Sequence, residues 1–135
     1  MFDKELAKEI LSQVYQSTQI ILKRFDSVKS SDDFMESESG LEKLDSICMQ
    51  LIAIGESLKN LDKVTKKNLL KKYPEIDWKK VIGMRDVITH NYFDLDSEVV
   101  FDVCESHIED LARTINKIIE DLNSVGEGQG EMDQS

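Results

Sequence analysis

The sequence predicts an all-α fold, an antiparallel bundle of four to five helices in one domain. Apolar residues recur at three- and four-residue intervals, the helical period, along three long stretches. One proline and six glycines punctuate 135 residues, fewer breaks than a sheet protein built from many turns requires. The elements are long and their joints short, which sets consecutive helices side by side in opposite directions.

The first helix starts at Asp3, a candidate N-cap, and carries Leu6, Ile10, Val14, Thr18, Ile21 and Phe25 on one stripe, widened by Leu11, Tyr15 and Leu22. Residues 26 to 39 are rich in serine and acids and read as a connection, with Ser31 placed to cap a short turn and Gly40 where the next helix begins. From Leu41 through Leu44, Ile47, Cys48, Leu51, Ile54, Leu58 and Leu61 the period marks the central core helix. Gly55 inside it costs about 1 kcal/mol relative to alanine, so it is expected to admit close approach by another element. A shorter helix is expected over Val64 to Lys72, stopping before Tyr73-Pro74 because proline disfavours helical geometry in the residue before it. Asp77 can cap a turn from Trp78 to Met84 that delivers the chain to Arg85. A last helix is expected from Ser97, capped by Asp96, to Leu122. Residues 1–123 thus form the domain; 124–135, with three glycines and no hydrophobic period, read as a disordered tail.

No apolar run approaches the roughly 20 residues needed to span a bilayer, and the start has no secretory-signal pattern, so a cytoplasmic protein with no membrane partner is expected. Cys48 and Cys104 lie in apolar helical patterns and read as buried free thiols. With histidine only at 90 and 107, neither a metal-binding cluster nor a Ser/His/Asp or Cys/His constellation assembles, and no glycine-rich phosphate loop is present; no metal and no cofactor are expected. The net charge of −10 argues against nucleic acid, but its distribution does not. Residues 63 to 85 hold eight basic side chains, among them Lys66, Lys67, Lys71 and Lys72, against Glu75 and Asp77. A basic patch on an acidic body can attract RNA; the alternative is a solvated helix face.

Beside that segment Arg85, His90 and Tyr92 fall within eight residues. Five residues of ideal helix rotate through about 500°, leaving Arg85 and His90 about 140° apart, so the two converge only if the helix ends between them. Asn91 suits such an ending because asparagine tolerates left-handed backbone geometry. The residue types suit RNA cleavage without metal: histidine moves the proton of a 2′-hydroxyl or of the leaving oxygen, and arginine grips phosphate in a forked geometry. Capping and packing roles for the same residues remain the alternative on spacing alone.

Leu51-Ile-Ala-Ile-Gly-Glu-Ser-Leu-Lys, followed by Tyr73-Pro-Glu-Ile-Asp-Trp and then Ile82-Gly-Met-Arg-Asp-Val-Ile-Thr-His-Asn-Tyr, resembles the signature of the HepT-like proteins of the HEPN superfamily, with its R-x-x-x-x-H-x-Y motif. The likeness is strong over about residues 41 to 104. It implies a HEPN-type helical bundle and a homodimer in which two motifs face one cleft. It further implies a metal-independent RNA endonuclease acting as the toxin of a type II-like toxin–antitoxin pair. Arg85, His90 and Tyr92 would be catalytic. Asp86 fits the polar residue that follows the arginine, Asn91 stands where relatives often have glycine, and Asp45 and Glu56 are supporting candidates. Met49 replaces a residue that is often basic in relatives. The resemblance also implies an antitoxin partner, an MntA-like minimal nucleotidyltransferase that transfers AMP to Tyr92. A competing reading keeps the fold and dimer but makes the chain a non-catalytic partner for nucleotides or for a nucleotidyltransferase. In a third, the chain is a purely structural helical interaction protein.

Overall fold

In a computed structural model, which describes residues 2–134 with side chains as far as Ser124, every regular element of the described chain is helical and none is a strand. Six α-helices follow one another: α1 Lys4–Phe25, α2 Asp32–Met35, α3 Glu38–Val64, α4 Trp78–His90, α5 Ser97–Ser106 and α6 Ile108–Gln134. Two 3₁₀ turns, Leu70–Lys72 and Tyr92–Asp94, flank α4. The all-α bundle is as expected, with a higher helix count because one expected helix divides and the connection after α1 contains a helical turn. Most of the tail expected over 124–135 lies outside the residues whose side chains are described.

Helix α3 is central and packs against α1, α2, α4 and α5, while α6 closes the other side of α1. The core is built from fully buried Leu11, Val14 and Ile21 of α1, Ile47, Ile54, Leu58 and Leu61 of α3, Ile88 of α4, and Ile108, Ile115 and Ile118 of α6. Asp3 caps α1 by accepting from the Leu6 amide at 3.1 Å. Thr18 stays on the buried stripe because its hydroxyl donates to the Tyr15 carbonyl at 2.5 Å and is satisfied there. Cys48 and Cys104 are buried free thiols, and burial pushes both up to about 12.

Ser31 does not cap α2 with its side chain. The Asp33 carboxylate folds that turn instead, accepting from the backbone amides of Lys29 at 2.7 Å and Ser30 at 3.2 Å. The turn presses on α3 so closely that a Cβ at Gly40 would lie 1.9 Å from the Asp33 carbonyl oxygen. Ser37, not the glycine, caps α3, accepting from the Gly40 amide at 2.9 Å.

Val64 to Lys72 is not a helix. Helix α3 carries on to Val64 and closes with a Schellman ending: the Lys67 amide donates to the Asp62 carbonyl at 2.7 Å and the Lys66 amide to Lys63 at 3.1 Å. The buried Thr65 hydroxyl adds a bond to the Leu61 carbonyl at 2.8 Å. Lys66 and Lys67 take positive φ of 54° and 61°, a left-handed pair made without glycine. The break lets Leu69, Leu70 and Tyr73 turn into the core. Tyr73 is held there by its hydroxyl, which donates to Asp121 at 2.7 Å, and the Trp78 indole bonds its carbonyl at 2.8 Å.

The single helix expected over Ser97 to Leu122 divides at His107, whose φ and ψ are −126° and −29°. Neither glycine nor proline marks the place. The bend rotates the buried face of α5 by one residue, burying Val100 and Cys104 and leaving Val99 46 % exposed. No described helix is long and apolar enough to cross a membrane.

Candidate functional site

Helix α4 carries the motif, and its placement depends on its two ends and one contact in the middle. Asp77 starts it, accepting from the Lys80 amide at 3.1 Å. In the middle α4 lies directly on Gly55 of α3, where a Cβ would stand 2.9 Å from Arg85 Cβ and 3.1 Å from the Ile82 carbonyl oxygen. The approach expected at Gly55 is therefore the seat of Arg85 itself. Buried Ile88, one turn further on, fixes the rotation of the helix.

The helix does not end between Arg85 and His90. It runs unbroken to His90, and Asn91, with φ −124° and ψ 27°, is not left-handed. Asn91 stops the helix by a different device: its side-chain amide donates to the Val87 carbonyl at 3.0 Å, satisfying one of the acceptors that a helix end leaves open. Thr89 bonds back within the helix, its hydroxyl donating to the Arg85 carbonyl at 2.9 Å. With the Asn91 side chain closing the last turn, no left-handed residue is needed. On this continuous helix Arg85 leans on α3 while His90 is exposed at the tip.

Both supporting acids come to the motif. Arg85 Nε lies buried 2.9 Å from Glu56 Oε1, without the alignment of a hydrogen bond, and Nη1 donates to Asp86 at 2.7 Å. The hydrogen bond from Arg85 holds the Asp86 carboxyl below its usual range despite some desolvation, aided by the charges of Arg85, His90 and Lys59. The same contacts with Asp86 and Glu56 raise the Arg85 pKa, so the guanidinium stays cationic. Tyr92, in the 3₁₀ turn after α4, reaches across to α3 and donates to Asp45 at 2.5 Å. That bond, then desolvation and the Asp45 charge, push the phenol up to about 12, so it keeps its proton at neutral pH. Tyr92 remains 43 % exposed, and Phe93, fully exposed, meets it edge-on with ring centroids 6.1 Å apart. Met49, Val87 and Val99 are also exposed apolar side chains on α3, α4 and α5.

The expected lysines separate. Lys66 and Lys67 line an open groove of about 720 Å³ together with Glu56, Lys59, Asn60, Asp62, Lys63 and Ile82. Lys71 and Lys72 sit on the following 3₁₀ turn, outside its lining. Lys59 was not a sequence candidate, although Glu56, Lys59 and Lys63 follow helical spacing along one face of α3. A smaller, mostly apolar cavity of about 290 Å³ lies between α3, α4 and the α5–α6 bend, and contains none of the motif residues. Among the described residues no three His, Cys, Asp or Glu side chains group as metal ligands.

Residues 14–118 match the family described as Ribonuclease HepT-like. Among similar proteins, one from Methanocaldococcus jannaschii named as a candidate RNase is 27 % identical over 71 % of this chain and 74 % of its own length. Another from that organism, named as a gamma-glutamylcyclotransferase and candidate RNase, is 30 % identical over 86 % of this chain, which spans about half (49 %) of it. A candidate RNase from Caldanaerobacter subterraneus is 26 % identical over 82 % of this chain and 91 % of its own length. No solved structure is significantly similar.

Proposed function

The chain belongs to the HepT-like ribonuclease family, and we propose that it is a metal-independent endoribonuclease, the toxin of a toxin–antitoxin pair, that works as a homodimer through Arg85, His90 and Tyr92. The observation that carries this reading is the way α4 presents them: Arg85 seated on Gly55 with its guanidinium already holding carboxylate oxygens, and His90 exposed one turn beyond Asp86. A fork that binds two carboxylates can bind a phosphate. His90 takes the 2′-hydroxyl proton as that oxygen attacks the adjacent phosphorus, or protonates the departing 5′-oxygen, and Arg85 stabilises the charge that builds on the phosphoryl oxygens. The exposed apolar residues Met49, Val87, Phe93 and Val99 supply surface for a second copy beside the motif. Purified protein should cleave RNA in excess chelator at an undiminished rate; activity abolished by chelator and restored by magnesium would sink the metal-independent mechanism.

In the same reading Tyr92 accepts AMP from an MntA-like minimal nucleotidyltransferase. Tyr92 is 43 % exposed, whereas Tyr73 is buried. The phenol oxygen forms the new P–O bond, pyrophosphate leaves, and the proton passes to Asp45, 2.5 Å away. The adduct adds negative charge and bulk where RNA phosphate would bind. Co-expression with such an enzyme is expected to add AMP at Tyr92 and suppress cleavage, with Tyr92→Phe escaping both. Intact-mass and peptide mass spectrometry read the outcome, and adducts confined to other residues would defeat the assignment.

A further inference from the structure

We propose that the groove beside Arg85, formed by Lys59, Asn60, Lys63, Lys66 and Lys67, holds the sugar–phosphate backbone of a single RNA strand on one side of the scissile phosphate. The proposal rests on the ribonuclease reading and deepens it by giving the substrate a direction across the protein.

The groove is continuous with the motif through Glu56, which lines it and also lies 2.9 Å from Arg85 Nε. Ile82, whose carbonyl faces Gly55, forms part of the same wall. At the near end Lys59 is close enough for its charge to act on Asp86, the carboxylate that Arg85 grips. Lys63 follows one turn along α3, and the chain then reverses at Lys66 and Lys67 to deliver two more cations to the same groove. Among the described residues none of these four ammonium groups enters an ion pair, and all four side chains are exposed.

Four unpaired cations on a chain of net charge −10 are not there for lack of acids to pair with. Lys59 and Lys63 at i and i+4 repel each other, which weakens an isolated helix. Only Glu56 and Asp62 oppose them within the groove, and Glu56 is already engaged by Arg85. A polyanion with regularly spaced charges relieves that repulsion, and each lysine that neutralises a phosphate releases the counterion condensed on it. Asn60 adds both a donor and an acceptor suited to a ribose hydroxyl. Lys71 and Lys72 lie outside the lining, so they serve as the matched control.

The test uses the full chain carrying His90→Ala, to prevent cleavage, and a fluorescently labelled 20-nucleotide single-stranded uridine RNA titrated across a range of salt. Replacing Lys59, Lys63, Lys66 and Lys67 together by glutamine should flatten the slope of log affinity against log salt by about 2 to 3, because each single-strand phosphate that a lysine neutralises adds about 0.7 to it. Lys71→Gln with Lys72→Gln should leave the slope within error of the parent. Lys59→Gln with Lys63→Gln alone, on regular helix, should give about half of the full effect and guards against misfolding at the left-handed turn. An unchanged slope in both groove variants, or an equal loss in the control pair, overturns the groove while leaving the ribonuclease reading intact if the unaltered chain still cleaves RNA. An unaltered chain that neither binds nor cleaves RNA overturns both.

Discussion

His90→Ala is expected to lower RNA cleavage by about 10²- to 10⁴-fold, the usual contribution of a positioned acid/base residue, while the helical signal and thermal midpoint stay close to those of the parent. The second half of the expectation comes from geometry. His90 is the exposed last residue of α4, no described hydrogen bond or ion pair uses its ring, and the turn is closed by Asn91 instead. Arg85→Ala should be equally inactive and slightly less stable, because Glu56 and Asp86 lose the cation between them while the Cβ that rests on Gly55 is kept. Arg85→Lys keeps the charge and loses the fork, so it should recover stability better than activity. Because Arg85 and His90 stand about 140° apart on one unbroken helix, the proposed dimer can pair the arginine of one copy with the histidine of the other. Mixing the two inactive variants would then regenerate one complete site in each mixed dimer and restore part of the activity. Both variants retaining full activity would remove the motif from the chemistry, and inactive mixtures would confine each site to a single copy.

What could be read from the sequence was whatever repeats along it or is forced by one residue. The stripes of α1 and α3 repeat over many turns, and a glycine inside α3 signals the close approach that α4 makes at Gly55. The carboxylates at Asp45 and Glu56 were legible only as candidates, since the sequence cannot show that they sit on the side of α3 facing Tyr92 and Arg85. The break after Val64 was hidden because its left-handed positions are lysines, where glycine is the usual marker, and because its cause is a set of backbone bonds closed by Thr65. The bend at His107 was hidden for a related reason: no residue there forbids a helix, and the packing of α5 and α6 decides the matter. At the motif, Asn91 terminates the helix as its residue type suggests, but through its side chain and not through its backbone. That difference moved the end of the helix beyond His90, and with it the relation between the two principal site residues.

Gly55→Ala should therefore damage both stability and activity, although alanine is the better helix former. The intrinsic gain in a helix interior is about 1 kcal/mol. Against it stands a methyl group 2.9 Å from Arg85 Cβ and 3.1 Å from the Ile82 carbonyl oxygen. Neither atom is the free end of a flexible side chain, so α4 as a whole must move outward, and overpacking of this kind costs about 1 to 3 kcal/mol. The expected net loss is about 1 kcal/mol, seen as a lower thermal midpoint. The same movement carries Arg85 away from its seat, and since a displacement near 1 Å can cost about 10²-fold in rate, a shift of a few tenths should cost about tenfold. Gly83 on α4 provides the comparison within the motif itself, because a Cβ there meets nothing within 4 Å. Gly83→Ala should raise the thermal midpoint, by the same intrinsic gain of about 1 kcal/mol, and leave cleavage unchanged. Thermal unfolding and initial cleavage rates of the two variants side by side decide the point: a Gly55→Ala protein as stable and as active as Gly83→Ala would mean that the position of Arg85 does not depend on the close contact between α3 and α4.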